Sequence, residues 1–236
     1  NLEELKALVA SLGLPGFTAK QIAQWLYVKK VRTIDEMTNL SKSARALLSE
    51  KYEVGVIPYG GLQISSDGTK KYLFPVKCSH RRGLNFSCNG QIDEKDLEEG
   101  AVEAVMIPDE DRATLCVSSQ SGCRMGCKFC MTGRQGFHGH MSAADIISQF
   151  IAVDESDRLT NAVSMGMGEP LDNYDNVMRA IEILTADWGF AWSPKRITVS
   201  TIGVLPNLKR YLDECKCHLA VSLHDPFGPE RLSVMP

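Results

Sequence analysis

The run CRMGCKFCMTGRQGF, residues 123–137, decides how this chain is read. It carries Cys123, Cys127 and Cys130 in the spacing C-x3-C-x2-C. Three thiolates this close in sequence can converge on one cluster without help from distant parts of a fold. Iron–sulfur clusters are held by cysteine thiolates, and a four-iron cluster ordinarily takes four of them. Three leave one iron without a protein ligand, and an open metal position is where chemistry happens. Three plainer readings stand beside this one. Structural zinc wants four ligands, and His138 or His140 is a candidate fourth. A disulfide framework is a poorer fit. The 8 cysteines among 236 residues fall well below the roughly 8–10% of disulfide scaffolds. Charged residues from Glu3 onward also break up any signal-peptide pattern. A reducing compartment, the cytoplasm, is the expectation. Coincidence is the third reading, and the rest of the chain argues against it.

Upstream of the cysteines, 113–119 reads as a strand. Further strands are expected at 102–107, 162–167, 196–201 and 217–223, with helices at 142–154, 173–187 and 205–214. From 113 onward, strands alternate with helices. That rhythm argues for parallel β/α units with right-handed crossovers, in which ligands gather at the carboxyl ends of the strands. The distinctive words lie at those ends. The cysteine loop follows the first strand, GMGEP the second, Ser200-Thr201 the third and Ser222-Leu223-His224 the fourth.

Each of these residues has a chemical and a plain reading. Gly166 and Gly168 are expected to admit a ligand close to backbone, and Glu169 to accept from an ammonium group. The plain alternative is an ordinary Gly-Glu-Pro turn. Ser200, Ser222 and His224 offer groups for a ribose, a carboxylate or an adenine edge. For His224 the alternative is a core histidine satisfied by backbone. Cys116, on the first strand, defaults to packing. Glu103 precedes the apolar VMIP; it reads as a base with a raised pKa or as a surface glutamate.

Toward the N-terminus, Leu2, Leu5, Leu8, Val9 and Leu12 recur at helical spacing, and Gly13 ends the pattern. Thr18 with Gln21 reads as the capping box of a second helix whose buried face is Ile22, Trp25 and Leu26. Ser41 reads as the N-cap of a third helix carrying Ala44, Leu47 and Leu48. These three helices form an accessory domain over 1–55, a possible RNA-binding element. Trp25 reads as core before it reads as a base-stacking platform. The 56–100 stretch is read as a linker: a β-hairpin turning at Asp67-Gly68, then a polar surface loop from 78 in which Cys78 and Cys88 are incidental thiols. The core domain is 101–236.

The formal net charge of -3 argues against a simple polyanion binder. Yet Lys70, Lys71, Lys77, Arg81 and Arg82 face only Asp67 within 67–82. This stripe either attracts phosphate backbones or protects a hairpin edge from aggregation. Hydrophobic residues make up 44% of the chain, ordinary for a globular protein, and no apolar run approaches the ~18 residues of a membrane span.

The triplet resembles the signature of the radical S-adenosylmethionine (SAM) superfamily. Five longer words occur in one order: RATLCVSSQ (112–120), the cysteine loop through Gly136-Phe137, MGMGEPL (165–171), PKRITVSTIG (194–203) and LAVSLHDP (219–226). Together they resemble the dual-specificity adenine-C2 methyltransferases of large-subunit ribosomal RNA and transfer RNA. A related family acting on adenine carbon 8 shares these motifs, and a zinc-stabilised RNA-binding module is the non-enzymatic alternative.

The resemblance implies an α/β fold: a partial (β/α) radical-SAM barrel, with four of six units visible, an N-terminal helical domain and a hairpin. It implies a [4Fe-4S] cluster on Cys123, Cys127 and Cys130. It implies SAM held by Gly168, Glu169, Ser200, Ser222, Leu223 and His224. Implied partners are ribosomal RNA, transfer RNA and an electron-donor protein, with no membrane. In the implied chemistry, a methyl group is first placed on a cysteine near the full-length C-terminus. A 5′-deoxyadenosyl radical then activates that methylcysteine for addition to adenine. Glu103 removes the ring proton, and Cys116 forms the disulfide that releases the product. The methyl-carrying cysteine is not identifiable here; Cys215 and Cys217 come too early. The chain therefore reads as part of a longer polypeptide that does not methylate RNA by itself. The 78–100 stretch departs from the family pattern.

Overall fold

The computed structural model describes residues 1–76 and 100–236. They divide into two compact units, one of 1–56 with 179–193 and one of 57–178 with 194–236. The linear boundaries expected from the sequence do not anticipate that 179–193 joins the N-terminal helices.

The first unit holds α1 (Leu2–Ser11), α2 (Thr18–Ala23) and α3 (Lys42–Ser49). Asn1 caps α1, its side chain accepting from the Glu4 N–H. Ser41 caps α3 by accepting from the Ala44 N–H at 3.1 Å. The expected Thr18–Gln21 capping box is absent. Phe17 occupies the N-cap position without a side-chain bond, while the Pro15 and Gly16 carbonyls accept from the Thr18 and Ala19 N–H groups. Thr18 is buried inside the first turn instead. One apolar cluster gathers Leu2, Val9, Ile22, Met37 and Leu48, with Trp25, Tyr27 and Trp188 packed on it. Trp25 is thus a core residue, and its indole N–H donates to Asn39.

The second unit is built on a seven-stranded sheet. Its strands are β1 (Gly61–Ile64), β2 (Lys70–Pro75), β3 (Ala101–Asp109), β4 (Arg112–Cys116), β7 (Asn161–Ser164), β8 (Ile197–Thr201) and β9 (His218–Val221), in that order. β1 to β4 pair antiparallel, and β4, β7, β8 and β9 run parallel. Between β4 and β7 lie β5 (Gln120–Gly122), α4 (Met131–Arg134), β6 (Phe137–His140) and α5 (Ala143–Ala152). α6 (Tyr174–Thr185) follows β7, α7 (Leu205–Glu214) follows β8, and α8 (Gly228–Val234) follows β9. Among the described residues four parallel β/α units are therefore present, as the alternating rhythm predicts, and the sheet does not close. The hairpin at Asp67-Gly68 forms as read. Gly68 takes φ 83°, and the Asp67 carboxylate accepts from the Thr69 N–H.

Side chains alternate across a strand, and directly aligned neighbours share a face. One face carries Tyr72, Phe74, Val102, Ala104, Leu115, Ala162, Ile197 and Val199, all buried. The other carries Leu73, Glu103, Val105, Cys116, Val163, Thr198 and Ser200, all half-buried. Register fixes this set: Leu73 lies opposite Glu103, Val105 opposite Cys116, Cys116 opposite Val163, and Val163 opposite Thr198. Glu103, Cys116 and Ser200 thus share the face that is not fully packed.

Of the expected basic stripe, Lys70 pairs with Asp154 and Glu155, and Lys71 with Glu103. Lys77, Arg81, Arg82, Cys78, Cys88 and the polar loop up to 99 lie outside the described residues. Among the described residues, no helix is long and apolar enough to cross a membrane.

Candidate cluster and cofactor site

The cysteine loop is closed at its base by backbone hydrogen bonds. β5 and β6 pair antiparallel with a register shift at Ser121/Gly122, and the Cys123 N–H donates to the Gly136 carbonyl at 2.8 Å. Gly122 sits at φ 69°, where an added Cβ would stand 1.9 Å from that carbonyl oxygen. Only glycine allows this closure. Inside the loop the Cys130 N–H donates to the Cys127 carbonyl, and the Arg134 N–H to that of Cys130.

The three thiols are free; Cys127 is buried and the other two half-buried. Burial pushes the Cys123 and Cys127 thiols above the ordinary range, and the neighbouring cysteines and Glu169 push in the same direction. These three sulfurs and one carboxylate therefore lie within each other's fields. Among the described residues, no three His, Cys, Asp or Glu side chains surround a single point as one metal ion requires. A cubane binds each thiolate to a different iron, so its ligands stand farther apart than those of one ion. A loop of three free thiols fits such a cluster. The zinc alternative fits less well. Nδ1 of His140 lies 3.1 Å from Gln120 Nε2, and its Nε2 lies 3.3 Å from Arg124. His138 is exposed on β6.

The GMGEP loop follows β7 and packs against 117–120, the segment that leads into the cysteines. The Gly166 N–H donates to the Val117 carbonyl, and the Met167 carbonyl accepts from the Ser119 and Gln120 N–H groups. An added Cβ would meet Ser118 Oγ at 2.7 Å from Gly166, and Gln120 Cβ at 2.5 Å from Gly168. Both glycines therefore serve a close approach of protein backbone to protein.

Glu169 is 3% exposed. Its Oε1 accepts from the Thr201 hydroxyl at 2.6 Å and the Leu171 N–H at 3.0 Å, and its Oε2 from the Ile202 N–H at 3.0 Å. Burial raises its pKa, and those three donors pull it back. A carboxylate offers about four lone-pair positions, so one stays open for a further donor.

At the other strand ends, Ser200 is the penultimate residue of β8, before the buried Thr201 that ends it, and the Ser222 N–H donates to the Thr201 carbonyl at 2.8 Å. Leu223 and His224 are exposed. His224 adopts φ 57° and packs against Phe129, the rings tilted at 42° with centroids 4.4 Å apart. It is therefore not a core histidine; it meets the residue just before Cys130. Cys116 ends β4, its thiol pushed up by burial while the Met165 N–H pulls it down. The Glu103 carboxylate lies 3.1 Å from Lys71 Nζ, and its carbonyl accepts from the Ser118 hydroxyl at 2.6 Å.

Several residues of this site were not singled out from the sequence: Gln120, Arg124, Asp172, Asn173 and Thr201. Gln120 and Thr201 lie within the words quoted above, but a buried amide or hydroxyl leaves no periodic signal. Asn173 donates to both the Ser119 and Met141 carbonyls. Asp172 accepts from Gln120 at 2.7 Å and pairs with Arg124 Nε at 3.0 Å, while the Arg124 guanidinium lies 4.0 Å over the Phe137 ring.

Comparison with known proteins gives consistent matches. Residues 117–226 match the family model of the radical SAM superfamily, and residues 1–54 that of the ribosomal RNA large subunit methyltransferase N-terminal domain. The chain is 52% identical to a probable dual-specificity RNA methyltransferase RlmN of Porphyromonas gingivalis, over 100% of this chain and 63% of that protein. It is 42% identical to the dual-specificity RNA methyltransferase RlmN of Bdellovibrio bacteriovorus, over 100% of this chain and 55% of that one. A crystal structure of a radical SAM methyltransferase from Sphaerobacter thermophilus matches with TM-score 0.84 at 34% identity, covering 100% of this chain and 65% of that chain. The chain thus spans less than two thirds of the length of these relatives. Its cysteine loop, its parallel β/α units and both family matches agree: the chain belongs to the radical SAM superfamily, in the RlmN family.

Proposed function

We propose that the chain is the cofactor-binding part of an RNA methyltransferase that modifies carbon 2 of an adenine in ribosomal RNA and transfer RNA. One observation carries this reading. Three free cysteines on a loop closed by backbone share the field of a buried carboxylate, Glu169, at the carboxyl ends of adjacent parallel strands. Cys123, Cys127 and Cys130 would hold a [4Fe-4S] cluster, and the open acceptor position of Glu169 would take the amino group of SAM. Ser200, Ser222, Leu223 and His224 line the neighbouring strand ends and would bind the rest of that molecule. When bound, this cofactor pair supplies the radical chemistry that an aromatic C–H carbon demands, since such a carbon is a poor nucleophile for polar methyl transfer.

The remaining work belongs to the chain's own residues. The half-buried face of the sheet gives Glu103 and Cys116 one shared surface, from which a carboxylate can take a ring proton and a thiol can resolve a sulfur-bound product. Burial pushes the Cys116 thiol up and so favours its protonated form. The target adenine must leave its stack to reach this face. An electron-donor protein completes the partners.

Anaerobic reconstitution tests the cofactor reading. A brown protein with roughly four iron per chain supports it; a colourless one with a single zinc overturns it. Methyl transfer from labelled SAM to ribosomal RNA, mapped by nucleoside mass spectrometry in the full-length protein, tests the substrate. Methyl at adenine carbon 2 is expected, and methyl at carbon 8 would replace this assignment with the related one.

A further inference from the structure

Gln120 is fully buried, and its side chain meets three residues in two segments. Its Oε1 accepts from the Glu169 N–H at 2.8 Å. Its Nε2 donates to Asp172 Oδ2 at 2.7 Å and lies 3.1 Å from His140 Nδ1. Asp172 in turn holds Arg124, the residue after Cys123. Gln120 also opens β5, three residues before that cysteine.

A buried amide costs desolvation and persists only where it is fully bonded. Packing alone would be served by leucine or methionine. Here the two ends of one amide reach the backbone of the residue bearing the buried carboxylate and, through Asp172 and Arg124, the start of the cysteine loop. The absence of a side chain at Gly168 makes room for this contact.

We infer that Gln120 is a positioning residue: its amide fixes the Glu169 carboxylate relative to the cysteine loop, so that cofactor and cluster are presented to each other in one geometry. The inference rests on the reading of Glu169 as the group that holds the SAM amino group. Gln120 itself touches neither cluster nor SAM in this account. Removing it should leave cluster loading intact and weaken SAM.

The test uses anaerobically reconstituted protein and two variants. Gln120→Met keeps the volume and removes all three contacts. Gln120→Glu keeps an acceptor for the Glu169 N–H and removes the donor to Asp172. Three quantities are read: iron per chain, thermal midpoint, and the SAM-induced change in the paramagnetic resonance spectrum of the reduced cluster, titrated for Kd. Mutating the outer partners of metal ligands typically changes metal affinity or activity roughly 10–100-fold, and a partner that positions the SAM-binding carboxylate is expected to act on SAM affinity on the same scale. Gln120→Met should retain parental iron and show a SAM Kd raised by about that factor, with Gln120→Glu between it and the parent. A Kd within about twofold of the parent in Gln120→Met overturns the positioning role. If Gln120→Met loses iron or melts early, Gln120→Glu decides on the same scale: a raised Kd at parental iron supports the role, and an unchanged Kd overturns it. A parent that loads iron but shows no spectral response to SAM overturns the underlying reading of Glu169, and the inference with it. That outcome is distinct from a parent that responds and a variant that responds equally.

Discussion

Gly168 and Gly203 separate two costs that often travel together. Both have positive φ, 97° and 96°. An added Cβ at Gly168 stands 2.5 Å from Gln120 Cβ, whereas at Gly203 nothing lies within 4 Å. Gly203→Ala should lose about 1 kcal/mol from backbone strain. Gly168→Ala should lose about 1–3 kcal/mol more from overpacking. Urea denaturation measures both, and equal losses would contradict the packing described for the GMGEP loop. Cys116 makes a second case. Its raised pKa means that thiolate forms only above the ordinary thiol value of about 8.5. Iodoacetamide should therefore label Cys116 more slowly at pH 8 than a free peptide thiol, the gap closing as pH rises. Peptide mapping by mass spectrometry reads this, and rapid labelling at pH 8 would refute it. The cysteine triplet was legible at once because covalent chemistry leaves a spacing. Gln120 and Thr201 were not, because their roles exist only once distant segments meet.

Helix and strand positions followed the hydrophobic period, and the parallel units β4, β7, β8 and β9 are found where the alternation places them. The short hairpin of β5 and β6 escaped because three or four residues carry no measurable period. The capping box misread at Thr18 has a local cause: carbonyls of the preceding turn already accept from the first amides, so no hydroxyl is called for. Genuine boxes stand elsewhere. At α5 the Ser142 hydroxyl accepts from the Asp145 N–H at 3.1 Å, and the Asp145 carboxylate accepts from the Ser142 N–H at 2.9 Å. Ser142→Ala should cost about 1 kcal/mol, seen as a lower denaturation midpoint, while Ser142→Asp should keep most of it. An unchanged midpoint for the alanine variant would argue that α5 is held by its buried face alone.

Chain order and spatial order part company in the N-terminal unit, where 179–193 folds with 1–56. Trp188 packs on the cluster of Val9, Ile22 and Leu48, and Tyr27 lies 5.8 Å from it between ring centroids. Trp188→Ala should therefore cost about 3 kcal/mol and raise hydrogen exchange in α1 and α2, while β7 and β8 keep their protection. The reverse pattern would reassign that segment. Such an exchange of segments has no trace in local sequence, since periodicity reports a buried face but not its partner.

The closed base of the cysteine loop bears on maturation. Zinc fingers wait for their metal before they fold. Here the base of the loop is joined by main-chain contacts at Gly122, Cys123 and Gly136 that use no cysteine sulfur, so the loop is expected to keep its shape when the cluster is removed. Chelation under anaerobic conditions should strip iron yet leave the far-ultraviolet circular dichroism nearly unchanged, and re-addition of iron and sulfide should restore colour without a refolding step. An oxidised, damaged cofactor would on this account be a replaceable part, and the polypeptide would outlive it.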